Sequence, residues 1–119
     1  MKKTILFLVS MGMIMPFLCT CAPLRRPLDK RIGFSKQLKN IEAHIEKEEW
    51  PEAQDSLEKT LNSWKGIKPI LQLDIDHDYV NEIENNFARL SGYIKTREKA
   101  DSMATILLLQ DIWRNIGSM

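Results

Sequence analysis

The stretch VNEIENNFARLSGYI, residues 80–94, decides the fold. Its apolar residues Val80, Ile83, Phe87, Leu90 and Ile94 stand 3, 4, 3 and 4 positions apart, which places all five on one face of a helix turning every 3.6 residues. The positions between them are mostly Asn, Glu, Arg and Ser, so this stripe has to be buried against neighbouring elements. Upstream, Phe34, Leu38, Ile41 and Ile45 repeat at spacings of 4, 3 and 4, predicting a helix from Leu28 or Phe34 to Glu48 that Gly33 frays or bends at its start.

A further helix begins at Trp50-Pro51. Pro51 suits a first-turn position, where its missing N–H costs nothing, and Glu52 complements the positive end of the helix dipole. Trp50, Ala53, Leu57, Leu61 and Trp64 form its stripe. Gly66 and Pro69 are expected to end or kink it, leaving Ile70, Leu71, Leu73 and Ile75 as an apolar connector that must pack somewhere. The helix through 80–94 starts after the carboxylates Asp74, Asp76 and Asp78. The short loop Lys95-Thr96-Arg97 then turns the chain into a last helix, from about Glu98 to Ile116, lying antiparallel to its neighbour. No strand pattern competes. The expected fold is all-α: an up-and-down four-helix bundle of two antiparallel hairpins, formed by residues 34–119 after an apolar segment 1–22 and a basic linker 23–33.

The last helix carries two apolar stripes. Ala100, Met103, Ala104 and Leu107 share one side, whereas Leu109, Ile112, Trp113 and Ile116 fall on roughly the opposite side at 100° per residue. Either the connector around Leu71 or the basic lead-in covers the second stripe, or Leu109, Ile112, Trp113 and Ile116 form an interface with a partner or a second copy of the chain.

The N-terminus reads as targeting. Lys2 and Lys3 precede an uncharged stretch from Thr4 to Pro23, with its apolar run from Ile5 through Leu18, the layout of a signal peptide or membrane anchor. Leu18-Cys19-Thr20-Cys21 resembles a lipobox, which would make Cys21 the lipidated residue, although Thr20 stands where a small Gly, Ala or Ser is usual. Beyond Cys21 the chain has no cysteine and hence no disulfide framework.

Total charge is only +1, which argues against nucleic-acid binding. It conceals an asymmetry: residues 23–39 carry a net +5, and residues 40–119 a net −6. Arg25, Arg26, Lys30 and Arg31 are placed to rest on an anionic membrane surface, at roughly 1 kcal/mol for each cation close to it. Basic residues after the apolar run outnumber those before it, which would favour a cytoplasmic body were the segment never cleaved. Export to the outer face of the cell membrane remains the preferred reading.

His77, flanked by Asp74, Asp76 and Asp78, is the most chemically pointed residue. A calcium loop counted from Asp74 needs Gly at its sixth position and Glu at its twelfth, where this chain has Tyr79 and Asn85. Capping of the following helix by Asp76 or Asp78 is the simpler account, with a metal site the alternative. His44 is placed to meet Glu48 one turn on, as a solvated pair. There is no phosphate-binding glycine loop, zinc-binding His-Glu-x-x-His or nucleophile elbow, so neither enzyme activity nor a cofactor is expected.

Trp50, Ala53, Leu57 and Trp64, the Asp76-His77-Asp78 turn, and Asn115-Ile116 together resemble a family of short bacterial proteins described only as a domain of unknown function. The resemblance spans about residues 41–116. It implies a helical protein held at a membrane, more often by an apolar helix than by lipid, and supplies no activity. The expected function is therefore non-enzymatic: an envelope-associated helical protein that binds a protein partner, such as a membrane protein, through the acidic surface of its first two helices or the extra stripe of the last. A small ligand- or metal-binding module centred on His77 is the alternative.

Overall fold

The computed structural model describes Asp29 and residues 33–116. Segment 1–22, Cys21, Arg25, Arg26, Lys30 and Arg31 lie outside the described residues. Four helices follow one another: α1 (Phe34–Glu46), α2 (Trp50–Leu71), α3 (His77–Lys95) and α4 (Lys99–Ile116). Each packs on the next and α1 packs on α4, which closes the ring of an all-α four-helix bundle. The short connections reverse the chain each time. One end of the bundle thus holds the start of α1, the α2–α3 loop and the end of α4, and the other holds the α1–α2 and α3–α4 loops.

Gly33 adopts φ +67°, a left-handed conformation that bends the chain into α1 and is free of steric cost only for glycine. The two loops at the far end share a design. In the first, the Glu48 N–H donates to the Ile45 carbonyl and the Glu49 N–H to that of His44; in the second, Arg97 donates to Ile94 and Glu98 to Tyr93. These are paired Schellman caps, with Glu48 and Arg97, each at φ 57°, at the left-handed position usually given to glycine.

The core stripes of α1 and α3 follow the sequence: Phe34, Leu38, Ile41 and Ile45, and Val80, Ile83, Phe87, Leu90 and Ile94, are all buried. In α2, Ala53, Leu57 and Trp64 are buried, whereas Trp50 and Leu61 are only partly so. Thr60 fills the core position that Leu61 was expected to take, its hydroxyl donating to the Ser56 carbonyl at 2.8 Å.

Three sequence expectations need correction. Gly66 and Pro69 do not end α2, which continues to Leu71. Both lie on its exposed side, while Ile67 and Leu71 extend the stripe Ala53, Leu57, Thr60, Trp64 into the core. The apolar connector is accordingly split: Leu71 is buried and Ile75 packs partly on the core, but Ile70 and Leu73 face outward. In α4, Leu109, Ile112, Trp113 and Ile116 are inside the chain's own core with Ser102, Thr105 and Ile106, so that face is not open to a partner. The reason is charge: positions 102, 105, 106, 109, 112, 113 and 116 include no charged residue, while the stripe Ala100, Ala104, Leu107 runs on into Asp111 and Arg114.

Candidate functional site

At the end of the bundle where the lead-in arrives, each helix contributes one aromatic ring to a common cluster. Phe34 of α1 lies between Trp113 of α4, Trp64 of α2 and Phe87 of α3, with ring centroids at 4.5, 6.0 and 6.3 Å. Trp64 and Phe87 are also 6.3 Å apart. Tilted and edge-on arrangements at these separations suit the quadrupoles of aromatic rings. Trp64 and Trp113 are thus committed to packing.

The rim of this cluster is polar and satisfied. The Trp113 indole N–H donates to Asp29 Oδ1 at 3.3 Å and to Ser35 Oγ at 3.0 Å. The Ser35 N–H and hydroxyl donate in turn to the two Asp29 carboxylate oxygens, at 2.8 and 2.9 Å. Asp29 thereby supplies the acceptor that an N-cap side chain normally gives to the first turn of a helix, in place of Gly33, which has no side chain for the task. Further along the same seam, Gln110 donates to Glu42 at 2.6 Å. Beside this network lies a shallow groove of about 330 Å³ lined by Ser35, Leu38, Lys39, Gln110, Trp113 and Arg114.

On the opposite side, Glu84 of α3 joins α2 to α3 by accepting from the Trp64 indole N–H at 3.2 Å and from the Lys68 ammonium at 2.6 Å. The Lys68 hydrogen bond holds the Glu84 carboxyl below its ordinary pKa of 4.5; partial burial opposes this, while the Trp64 bond and the Lys68 charge reinforce it.

The acidic turn does not converge. Asp74, Asp76, His77 and Asp78 are all exposed, and consecutive residues entering a helix point about 100° apart. Asp76 serves as N-cap of α3, accepting from the Asp78 N–H at 3.4 Å. A groove there is lined by Asp76, Asp78, Tyr79 and Glu82, with no histidine. Among the described residues no group of three or more His, Cys, Asp or Glu side chains is placed to hold a metal ion. His44 meets Glu49 at 3.6 Å rather than Glu48, which instead approaches Lys99 at 3.9 Å, because the left-handed turn at Glu48 swings its side chain away from α1.

What the bundle leaves exposed is as informative as what it buries. Among large apolar side chains, Leu107 and Leu108 of α4 are 47% and 42% exposed, and Leu107 continues a line with the exposed Ala100 and Ala104. Ile70 and Leu73, at the α2–α3 turn, are 39% and 88% exposed. The α4 surface holds Ala100, Ala104 and Leu107 of the first stripe visible in the sequence, whose Met103 packs partly on the core instead, while the second stripe is buried. The signal that identifies the buried stripe is the absence of charge at positions 102, 105, 106, 109, 112, 113 and 116, which Ser102 and Thr105 disguise as polar. None of the described helices is long and apolar enough to cross a membrane.

The family model of a domain of unknown function, DUF4363, matches residues 31–119, a span that contains all four helices. No curated protein and no solved structure matches the chain.

Proposed function

We propose, from the premise that the chain belongs to the DUF4363 family, that it is a non-enzymatic binding module held at the bacterial envelope membrane by its N-terminal segment. Its bundle presents the outer face of α4 to a protein partner there. The observation that carries this reading is the exposed line Ala100, Ala104 and Leu107, flanked by Leu108, on a helix whose other face is fully used by the core. Two alanines followed by leucine give a surface a partner helix can approach closely, and apolar side chains left in water on a well-packed domain favour such contact. The targeting layout of residues 1–22 supports the location, with Cys21 as lipid attachment point if the segment is cleaved there. The alternative module at His77 has no converging set of donors to support it among the described residues.

The test is capture of partners from native membranes by the full chain, comparing wild type with Ala104→Glu and Leu107→Glu. Both positions are exposed, so the variants should keep the wild-type helical content and melting temperature. A protein recovered with wild type and lost from both variants supports the reading. Recovery of the same proteins by all three, or of none, overturns the assignment of this face.

A further inference from the structure

We propose that the α2–α3 turn is a second membrane contact, in which Leu73 enters the interfacial layer of the lipid bilayer beside the N-terminal anchor. The proposal rests on the reading of residues 1–22 as a membrane segment. Leu73 is 88% exposed, by far the most solvent-facing large apolar side chain among the described residues, and Ile70, on the last turn of α2, is also exposed. A leucine so placed contributes nothing to the core. It stands at the tip of the turn linking two helices, a position where polar residues or glycine serve equally well for the fold.

Placement identifies what covers it. The bonds that Asp29 accepts from Ser35 and Trp113 fix where the lead-in meets the bundle, at the end that also holds the α2–α3 turn. The uncharged stretch ends at Pro23, six residues before Asp29. Six residues reach at most about 20 Å even when fully extended. The 22 residues of α2 extend about 33 Å at 1.5 Å per residue, so the loops at residues 47–49 and 96–98 stand that much further from the junction. With the stretch Thr4–Pro23 in a bilayer, the α2–α3 turn is the apolar loop held within reach of the lipid.

The charges of the sequence set the depth. Asp74, Asp76 and Asp78 follow Leu73 and oppose both deep burial and close approach to anionic headgroups, whereas Arg25, Arg26, Lys30 and Arg31 in the lead-in attract those headgroups. The contact is therefore shallow, with the loop tip at the headgroup–acyl boundary and the carboxylates in water.

The experiment uses the full chain mixed with vesicles of phosphatidylethanolamine and phosphatidylglycerol whose acyl chains carry bromine, a short-range quencher of tryptophan fluorescence. Leu73→Trp is compared with wild type and with Glu98→Trp, an exposed site at the far end of the bundle. Vesicle flotation reports the anchor independently. The expected result is flotation of all three proteins, with the emission added by Leu73→Trp quenched about twofold and that added by Glu98→Trp unaffected. Flotation with the two added tryptophans quenched alike overturns the loop contact and leaves the anchor standing. Failure to float overturns both.

Discussion

The indole N–H of Trp113 reaches the carboxylate of Asp29, 84 residues earlier in the chain, at 3.3 Å. Through that bond, and those of Ser35 to the same carboxylate, Asp29 of the lead-in is tied to the final turns of α4. The start of α1 and the end of α4 are thus held together by a group lying outside both helices. Replacing Asp29 by Ala removes the acceptor for three donors at once. Loss of a helix cap costs about 0.5–2 kcal/mol, and an unpaired, half-buried donor adds to it. Urea unfolding of Asp29→Ala should show a loss of about 1–3 kcal/mol, with Trp113 emission shifted to the red. An unchanged midpoint would remove Asp29 from the account of how the lead-in joins the bundle.

Ile106 and Leu107 are adjacent in sequence and opposite in role: the first is fully buried, the second 47% exposed. Ile106→Ala should destabilise by about 2–5 kcal/mol through lost burial and the cavity left behind, while Leu107→Ala should stay within roughly 0.5 kcal/mol of wild type. Similar losses for the two would mean that α4 is rotated from the orientation described.

The Lys68–Glu84 pair gives a pH dependence of determined sign. Because the folded protein holds Glu84 below its ordinary pKa of 4.5, the pair stabilises the fold above that pH, and the contribution disappears as pH falls through the lower folded value. Both side chains are about a third exposed, so solvent screening limits the effect to about 1 kcal/mol or less. Lys68→Met should be less stable than wild type at pH 7, with the difference closing as the solution is taken below about pH 4. Melting curves at both pH values decide this, and a difference that grows in acid would contradict the assignment.

At Glu48 and Arg97 a residue with a Cβ occupies the left-handed position of a Schellman cap. That conformation costs a non-glycine residue roughly 1–2 kcal/mol, partly offset in a glycine variant by the greater freedom of its unfolded chain. Glu48→Gly and Arg97→Gly should each raise stability by about 0.5–1 kcal/mol in chemical denaturation. Destabilisation by either would show that its side chain contributes more than the backbone strain costs.

For the acidic turn, Asp76→Ala should cost about 0.5–1 kcal/mol as an N-cap whose hydrogen bond is long. His77→Ala should be nearly silent. Addition of Ca²⁺, Mg²⁺ or Zn²⁺ should leave the melting temperature of wild type in place, since a cation bound only by the folded state would raise it. A metal-dependent rise abolished by His77→Ala would restore the metal-binding reading.

How much was legible depended on where polar residues could hide. In α1 and α3 nearly every core position is apolar, and the stripes read from the sequence are the stripes that are buried. Thr60, Asn86 and Thr105 are also buried, each donating to the carbonyl four residues earlier in its own helix. A side chain satisfied in that way enters the core at little cost, so a polar letter there is not a surface letter. Thr60 therefore holds the α2 core position for which the apolar pattern points to Leu61, and Thr105 conceals part of the buried α4 face in the same way. Pro69 misled for another reason: in the last turn of a helix, and on its exposed side, proline sacrifices one hydrogen bond without breaking the packing that Ile67 and Leu71 supply.

The sequence alone determined that this chain forms four helices with short reversals and a common core. Apolar spacing, the uncharged N-terminal run and turn residues are local properties, written in consecutive letters. Only the tertiary structure decided which side of α4 faces inward, that Asp29 closes the seam between α1 and α4, and that Ile70 and Leu73 remain outside. Those outcomes depend on the competition among all four helices for a finite buried volume. A helix with two apolar sides can bury only the one that its neighbours leave room for and that brings no charge with it.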